Sequence, residues 1–208
     1  MPVPKFEWSR SRRELTRLGH ERIALFCRVN KLPIPEFTVS SGSNWRVDAC
    51  AYYRPATEQN RKWTTVGINI CPDRCAYPCT EEQGRNWNWP GSVTDREPYG
   101  VIAHELGHHV DWLTGERKWT YGSEYCESVK NESKEQPITS YAPNPAEWFA
   151  EIFRLFVTNH ALLARIRPKA YGILCRKFQP IGTNDWRAAL GTNVPPRIIR
   201  TLENKGAK

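Results

Sequence analysis

Five consecutive residues in the middle of this chain have the types and spacing to do chemistry: His104-Glu105-Leu106-Gly107-His108. In an α-helix, positions i and i+4 stand one above the other on the same face, so the two imidazoles can converge on one zinc ion at about 2.0–2.1 Å. Glu105 is turned by about 100° from His104, which sets its carboxylate beside the open coordination position instead of on the ion. From there it can take a proton from water whose pKa the metal has lowered towards about 7. Ala103 and Gly107 are small enough to let another element approach this helix closely. The alternative reading is two histidines on a wet helical face.

Catalytic zinc sites normally have three protein ligands and leave the fourth position to water, so one ligand is still to be found. The segment Asn144-Pro-Ala-Glu147-Trp-Phe-Ala-Glu151-Ile-Phe153 offers two carboxylates at i and i+4 on an otherwise apolar helix. Burying unpartnered acids costs several kcal/mol, so a metal or a cationic group is expected opposite them. Glu147 is the candidate third ligand; a surface pair of acids is the alternative. Asp111, three residues after His108, shares the ligand face and can accept the outer N–H of a ligating imidazole, or be an ordinary acid near a helix end. His109 is directed off that face and is left out of the site.

These side chains need two helices to carry them. The first begins at Thr94-Asp95-Arg96-Glu97, a capping-box pattern, and runs to about Thr114, with Gly115 as its stop. The second begins at Asn144-Pro145, an N-cap followed by a proline at the first helical position, and reaches about Thr158. Residues 9–31 place Leu15, Leu18, Ile23, Leu25, Phe26 and Val29 near helical spacing, and Pro33 ends the pattern. Three β-rich segments follow, 37–40, 45–54 and 63–71, the last two joined by a polar stretch suited to a hairpin, so a small twisted sheet is expected. The polar segment 115–143 reads as loops or short strands. Residues 159–208 read as a tail of two or three short helices broken at Pro168, at 180–182 and at 195–196. No repeat or low-complexity tract is present.

Composition sets the outer limits. A chain of 208 residues fits one domain, and with 39% hydrophobic residues, nine Trp and eight Tyr, aromatics must fill much of its core. No apolar run is long enough to span a bilayer, and the first residues lack the apolar core of a secretory signal, so a cytoplasmic protein is expected. Seven cysteines, an odd number, fit free thiols or metal ligands better than a disulfide framework. Cys50, Cys71, Cys75 and Cys79 together have the ligand types for a structural zinc, or are reduced thiols. The net charge of +8 is uneven. Residues 1–31 carry eight Lys/Arg against three Asp/Glu, 32–153 carry 11 against 17, and 154–208 carry 11 against two. Basic ends around an acidic middle suit contact with nucleic acid or another polyanion, and equally suit solubilising helix faces.

HELGHHVD (104–111) and SYAPNPAEWFAEIF (140–153) together resemble the gluzincin metallopeptidases of the lethal-factor type, which include the anthrax toxin protease domain and the clostridial Pro-Pro endopeptidases. The resemblance covers about fifty residues, the two site helices and the approach to the second. It implies an α+β, zincin-like metallopeptidase fold with Zn2+ bound by His104, His108 and Glu147, and Glu105 as general base. It also implies Glu151 as a supporting carboxylate, a peptide or protein substrate, and Tyr141 as a hydrogen-bond donor to the oxyanion, although Tyr141 precedes Glu147 by six residues where the family has one more. In such folds an edge strand holds the substrate in extended form, and either 49–54 or 64–70 can serve. Two other functions compete. A DNA-associated protease resembling the SprT-like enzymes would need a third histidine, for which only His160 lies downstream. A non-catalytic, zinc-stabilised phage or mobile-element protein would not need Glu105.

Overall fold

Leu15, Ile23, Phe26 and Cys27 are buried on one face of helix α1 (Arg12–Val29), while Arg13, Arg17, Arg22 and Arg28 stay exposed. The computed structural model describes residues 12–40, 49–57, 65–74, 100–115, 124–138 and 144–182, together with Arg200 and Asn204. The helix closes with Lys31 in the left-handed region (φ 54°), and Asn30 ties its end to the far part of the chain. The Asn30 side chain donates to the Gln179 carbonyl at 3.0 Å and accepts from the Gln179 N–H at 2.6 Å.

Three short strands form a mixed sheet in the order β1 (Phe37–Val39), β3 (Gly67–Ile70), β2 (Ala51–Arg54). The central strand β3 is buried throughout, parallel to β1 and antiparallel to β2, as the hairpin reading of β2 and β3 requires. Gly67 starts β3 at φ 85°, and a Cβ there would collide with the Glu36 carbonyl. The Cys71 N–H bonds to the Cys50 carbonyl across the ladder. With that register, Cys50, Tyr52 and Arg54 turn their backbone polar groups to β3, and those of Ala51 and Tyr53 point off the sheet. The strands are shorter than the segments 45–54 and 63–71 suggest; residues 45–48 and 63–64 lie outside those described.

Against this sheet lies α2 (Gly100–Thr114), which ends where Gly115 donates back to Asp111 at 2.9 Å. Its expected capping box, 94–97, lies outside the described residues. The helix α4 (Pro145–Thr158) begins as its sequence dictates: Asn144 caps it by accepting from the Glu147 N–H at 3.0 Å, with Pro145 in the first turn. Helices α2 and α4 cross closely because Gly107 has no side chain. A Cβ on Gly107 would come 2.7 Å from Ala150 Cα and 3.2 Å from Phe153 Cβ.

One expectation fails. Within 115–143, read as loops or short strands, Glu124–Ser133 forms a helix, α3. Its fully buried apolar residues are only Cys126 and Val129, with half-buried Tyr125 beside them and buried Ser133 beyond, and it ends on Lys134 at φ 53° where a glycine stop would be looked for. A stripe of two apolar residues on an otherwise polar segment reads as loop. The Cys126 thiol donates to the Pro145 carbonyl at 2.9 Å, fixing α3 to the start of α4.

The tail follows as two short helices, α5 (His160–Ile166) and α6 (Pro168–Cys175), divided at Pro168 as expected. Aromatics fill the core: Phe26 of α1 meets Phe153 edge-on at 5.3 Å and lies 6.3 Å from Phe156 and 6.1 Å from Phe178. The architecture is α+β, with six α-helices and a three-stranded sheet among the described residues. None of these helices is long and apolar enough to cross a membrane.

The crossing predicts opposite outcomes for two glycines. Gly107→Ala gains about 0.5–1 kcal/mol of helix propensity but overpacks against Ala150 backbone at about 1–3 kcal/mol, so urea unfolding should show a net loss. Gly172→Ala in α6, with nothing within 4 Å of the added Cβ, should gain about 0.5–1 kcal/mol. Equal shifts in the two variants would contradict the close crossing.

Candidate metal centre

The crossing of α2 and α4 brings together the groups the spacing singled out. His104 and His108, one turn apart, hold their rings 4.9 Å apart at 81°. Glu147, in the first turn of α4, puts Oε2 3.0 Å from His104 Nε2 and Oε1 3.5 Å from His108 Nε2. One ligand-type atom from each residue lies within 4.8 Å of the others, and this is the one such group among the described residues. A tetrahedral zinc with bonds of about 2.0–2.1 Å spaces its ligand atoms by about 3.3–3.4 Å. The 3.0 and 3.5 Å separations bracket that spacing, so small side-chain adjustments close the group on an ion.

Proton accounting at His104 supports a cation. Its Nδ1 lies 2.8 Å from Glu151 Oε1, a carboxylate that can only accept, so Nδ1 carries a hydrogen. In a neutral ring Nε2 is then a lone pair, and at 3.0 Å it faces a second carboxylate, Glu147. Two lone pairs at that distance need a positive centre between them. A second proton supplies it, and so does a metal ion. Burial disfavours the charged imidazole, but the hydrogen bonds to Glu147 and Glu151 outweigh burial and push its pKa up to about 10.

The carboxylates respond to the same contacts. Burial alone would raise Glu147, yet hydrogen bonds from His104 and His108 hold it at about 2. Burial would likewise raise Glu151, but Arg154 and His104 keep it well below the usual carboxylate range. Arg154, 1% exposed, donates from Nε to Glu151 Oε1 and from Nη2 to Oε2, both at 3.2 Å. An alternating chain of charge results: Arg154, Glu151, His104, Glu147.

Glu105 has a different environment. It is buried beside the two histidines without being one of the three converging groups. Burial raises its pKa; His104, His108 and the nearby backbone of Tyr53 on β2 oppose that. A carboxylate raised towards neutrality is better matched to proton transfer than one held at its ordinary value.

The remaining candidates divide. Glu151 takes the outer N–H of His104, the role considered for Asp111. Asp111 is buried on α2. His109 points off the ligand face, as expected, and towards the sheet, with Nδ1 3.0 Å from the Tyr53 hydroxyl and Nε2 2.9 Å from the Pro33 carbonyl. His160 opens α5, where its ring stacks on Tyr171. Glu147 is in the first turn of α4 and His160 follows the last, and His160 is not among the converging groups. Tyr141, Cys75 and Cys79 lie outside the described residues. Cys50 and Cys71 are opposite one another across β2 and β3, both as free thiols. Arg154 and Tyr53 were not singled out from sequence. The only signal for Arg154 is its i+3 spacing from Glu151.

Comparison with known proteins finds no matching family profile, no matching curated protein and no matching solved structure.

Zinc added to the protein should displace the proton that Glu147 and Glu151 hold on His104. Affinity measured by calorimetry should therefore rise about tenfold per pH unit between about pH 7 and 9; a flat profile would count against these ligands. With a chelator present the sign reverses. A raised histidine pKa stabilises the fold fully below 6.5, and the contribution is lost as pH rises through about 10. Glu151→Gln should weaken zinc by about 10–100-fold, and Glu147→Ala by more.

Proposed function

We propose that this chain is a zinc-dependent metallopeptidase of zincin-like fold, of the gluzincin type, hydrolysing peptide bonds with Glu105 as general base. The observation that carries the reading is Glu147, whose two carboxylate oxygens face the Nε2 atoms of both histidines while Glu105, one residue from His104, stays apart from them. A structural zinc is normally closed by four protein ligands, whereas three ligands and a separate buried carboxylate suit a hydrolytic site. When bound there, zinc would supply Lewis acidity and lower the pKa of water.

The chain's own residues account for the rest. Glu105, with its raised pKa, takes the proton from the attacking water and returns it to the leaving amine. Glu151 fixes the His104 ring through Nδ1, leaving Nε2 as the donor atom, and Arg154 holds Glu151 in turn. Of the two segments that could receive an extended substrate, β3 is central and has both edges occupied by strands. Among the described residues the strand β2 is at the edge, packs on α2 and points the backbone groups of Ala51 and the Tyr53 carbonyl off the sheet, so it is the one suited to pair with a peptide. Tyr141 remains a proposed oxyanion donor. A zinc-stabilised protein without activity has no use for Glu105 so placed.

Proteome-derived peptides incubated with the zinc-loaded protein should be cut, and a zinc chelator should stop cleavage until zinc is restored. Glu105→Gln should lower the rate by about 10²–10⁴-fold while zinc stays bound in full. Cleavage unaffected by Glu105→Gln, or no cleavage by the zinc-loaded wild type across the peptide pool, would refute the reading.

A further inference from the structure

Arg54 is the one charged residue on the three strands, which read Phe-Thr-Val, Ala-Tyr-Tyr-Arg and Gly-Ile-Asn-Ile. It ends β2, the strand at the edge of the sheet beside α2 among the described residues. The side chain is half-buried, and its guanidinium lies over the Tyr52 ring, 5.3 Å from the centroid. No carboxylate of the described residues pairs with it, and its partner across the ladder, Gly67, offers no side chain. Side chains alternate along a strand. Tyr53 turns to α2, where its hydroxyl lies 3.0 Å from His109 Nδ1, so Tyr52 and Arg54 share the opposite face.

We propose that Arg54 is a specificity-determining residue that selects an acidic side chain, Asp or Glu, in the peptide residue lying opposite Tyr52. The proposal rests on the reading of β2 as the strand that pairs with substrate. An antiparallel peptide bonded to Ala51 and to the Tyr53 carbonyl puts one residue directly opposite Tyr52, in a non-hydrogen-bonded position with Cβ atoms about 4.5–5.5 Å apart. The side chain of that residue stands on the same face as Tyr52 and Arg54. The guanidinium, drawn back over the Tyr52 ring, is therefore beside it and not out beyond the end of the strand.

Stacking on an aromatic ring sets the plane of a guanidinium and leaves its fork of N–H groups open to a carboxylate, which it binds through two parallel bonds. A donor already held in place loses less freedom on binding than one on a free chain. The other use of a charge at a sheet edge is to keep foreign strands away, and that use is blind to the sequence of the peptide.

Proteome-derived peptides with amidated C-termini, in which every carboxylate belongs to a side chain, are incubated with the zinc-loaded protein and the cuts located by mass spectrometry. One position at a fixed distance from the cut should hold Asp or Glu about two- to fivefold above its frequency in the pool. Arg54→Gln should erase the preference, and Arg54→Glu should turn it to Lys or Arg at the same position, with zinc content unchanged in both. Arg22→Glu, the same change of charge on an exposed turn of α1, should leave it in place. Cleavage with no acid preference in the wild type, or with one that outlasts both Arg54 variants or is lost equally with Arg22→Glu, overturns the proposal and leaves the peptidase reading standing. A wild type that cuts nothing refutes the peptidase reading, and retention of the same peptides on the immobilised zinc-loaded protein then decides. Acidic peptides should be held by the wild type, not by Arg54→Gln, and basic ones by Arg54→Glu; the same peptides held by all three would mean that Arg54 only guards the edge.

Discussion

Two helices that cross at backbone distance set the geometry of this molecule. Gly107 lies against Ala150, and no larger pair of residues lets α2 and α4 approach so closely. The reach of a Glu or His side chain is limited, so a carboxylate from one helix meets two imidazoles on the other only if the helices pack closely. Around that point the residues fall into place by helical spacing. His104 and His108 flank Gly107 on α2, and Glu147 and Glu151 flank Ala150 on α4. The small pair at the centre and the polar groups around it belong to a single packing solution.

The electrostatics follow from that packing. A buried arginine, two carboxylates and an imidazole would each be costly alone. Ordered as Arg154, Glu151, His104 and Glu147, every charge has an opposite neighbour, and only the far end, where Glu147 meets both histidines, calls for a further positive centre. The demand is local, since Glu151 already has Arg154 on its other side. Glu105 sits outside this sequence, and its carboxylate is free to change protonation without breaking it.

Much of the site was legible in the sequence because chelation allows few spacings. Two histidines at i and i+4, each preceded by a small residue, Ala103 and Gly107, predicted both the shared face and the close approach, and an asparagine-proline start with two acids on an apolar helix predicted α4. Arg154 was not legible. It opens the basic stretch 154–208, and its burial becomes apparent only once α4 is packed. The bond between Tyr53 and His109 joins residues 56 apart and leaves no local trace. The strands were visible as β-rich segments, but which of them lay at the edge depended on β1 pairing with β3, a long-range event. Helix α3 escaped because a stripe of two apolar residues is too short to show a period, and its left-handed lysine end replaces the expected glycine.

The double hydrogen bond between Asn30 and Gln179 spans 149 residues, and Phe26 beside it packs on Phe178 and on two phenylalanines of α4. During synthesis α1 leaves the ribosome before these partners, and Asn30 meets Gln179 only after a further 149 residues have been made. Until then its apolar face has α2 and the turn at Pro72–Arg74 to pack on, but not the phenylalanines of α4 or Phe178. Loop closure over such a span is costly before the contacts repay it, so this region belongs to the late part of folding. The backing that α1 gives to the candidate metal site is thus complete only once the segment around Phe178 has been made.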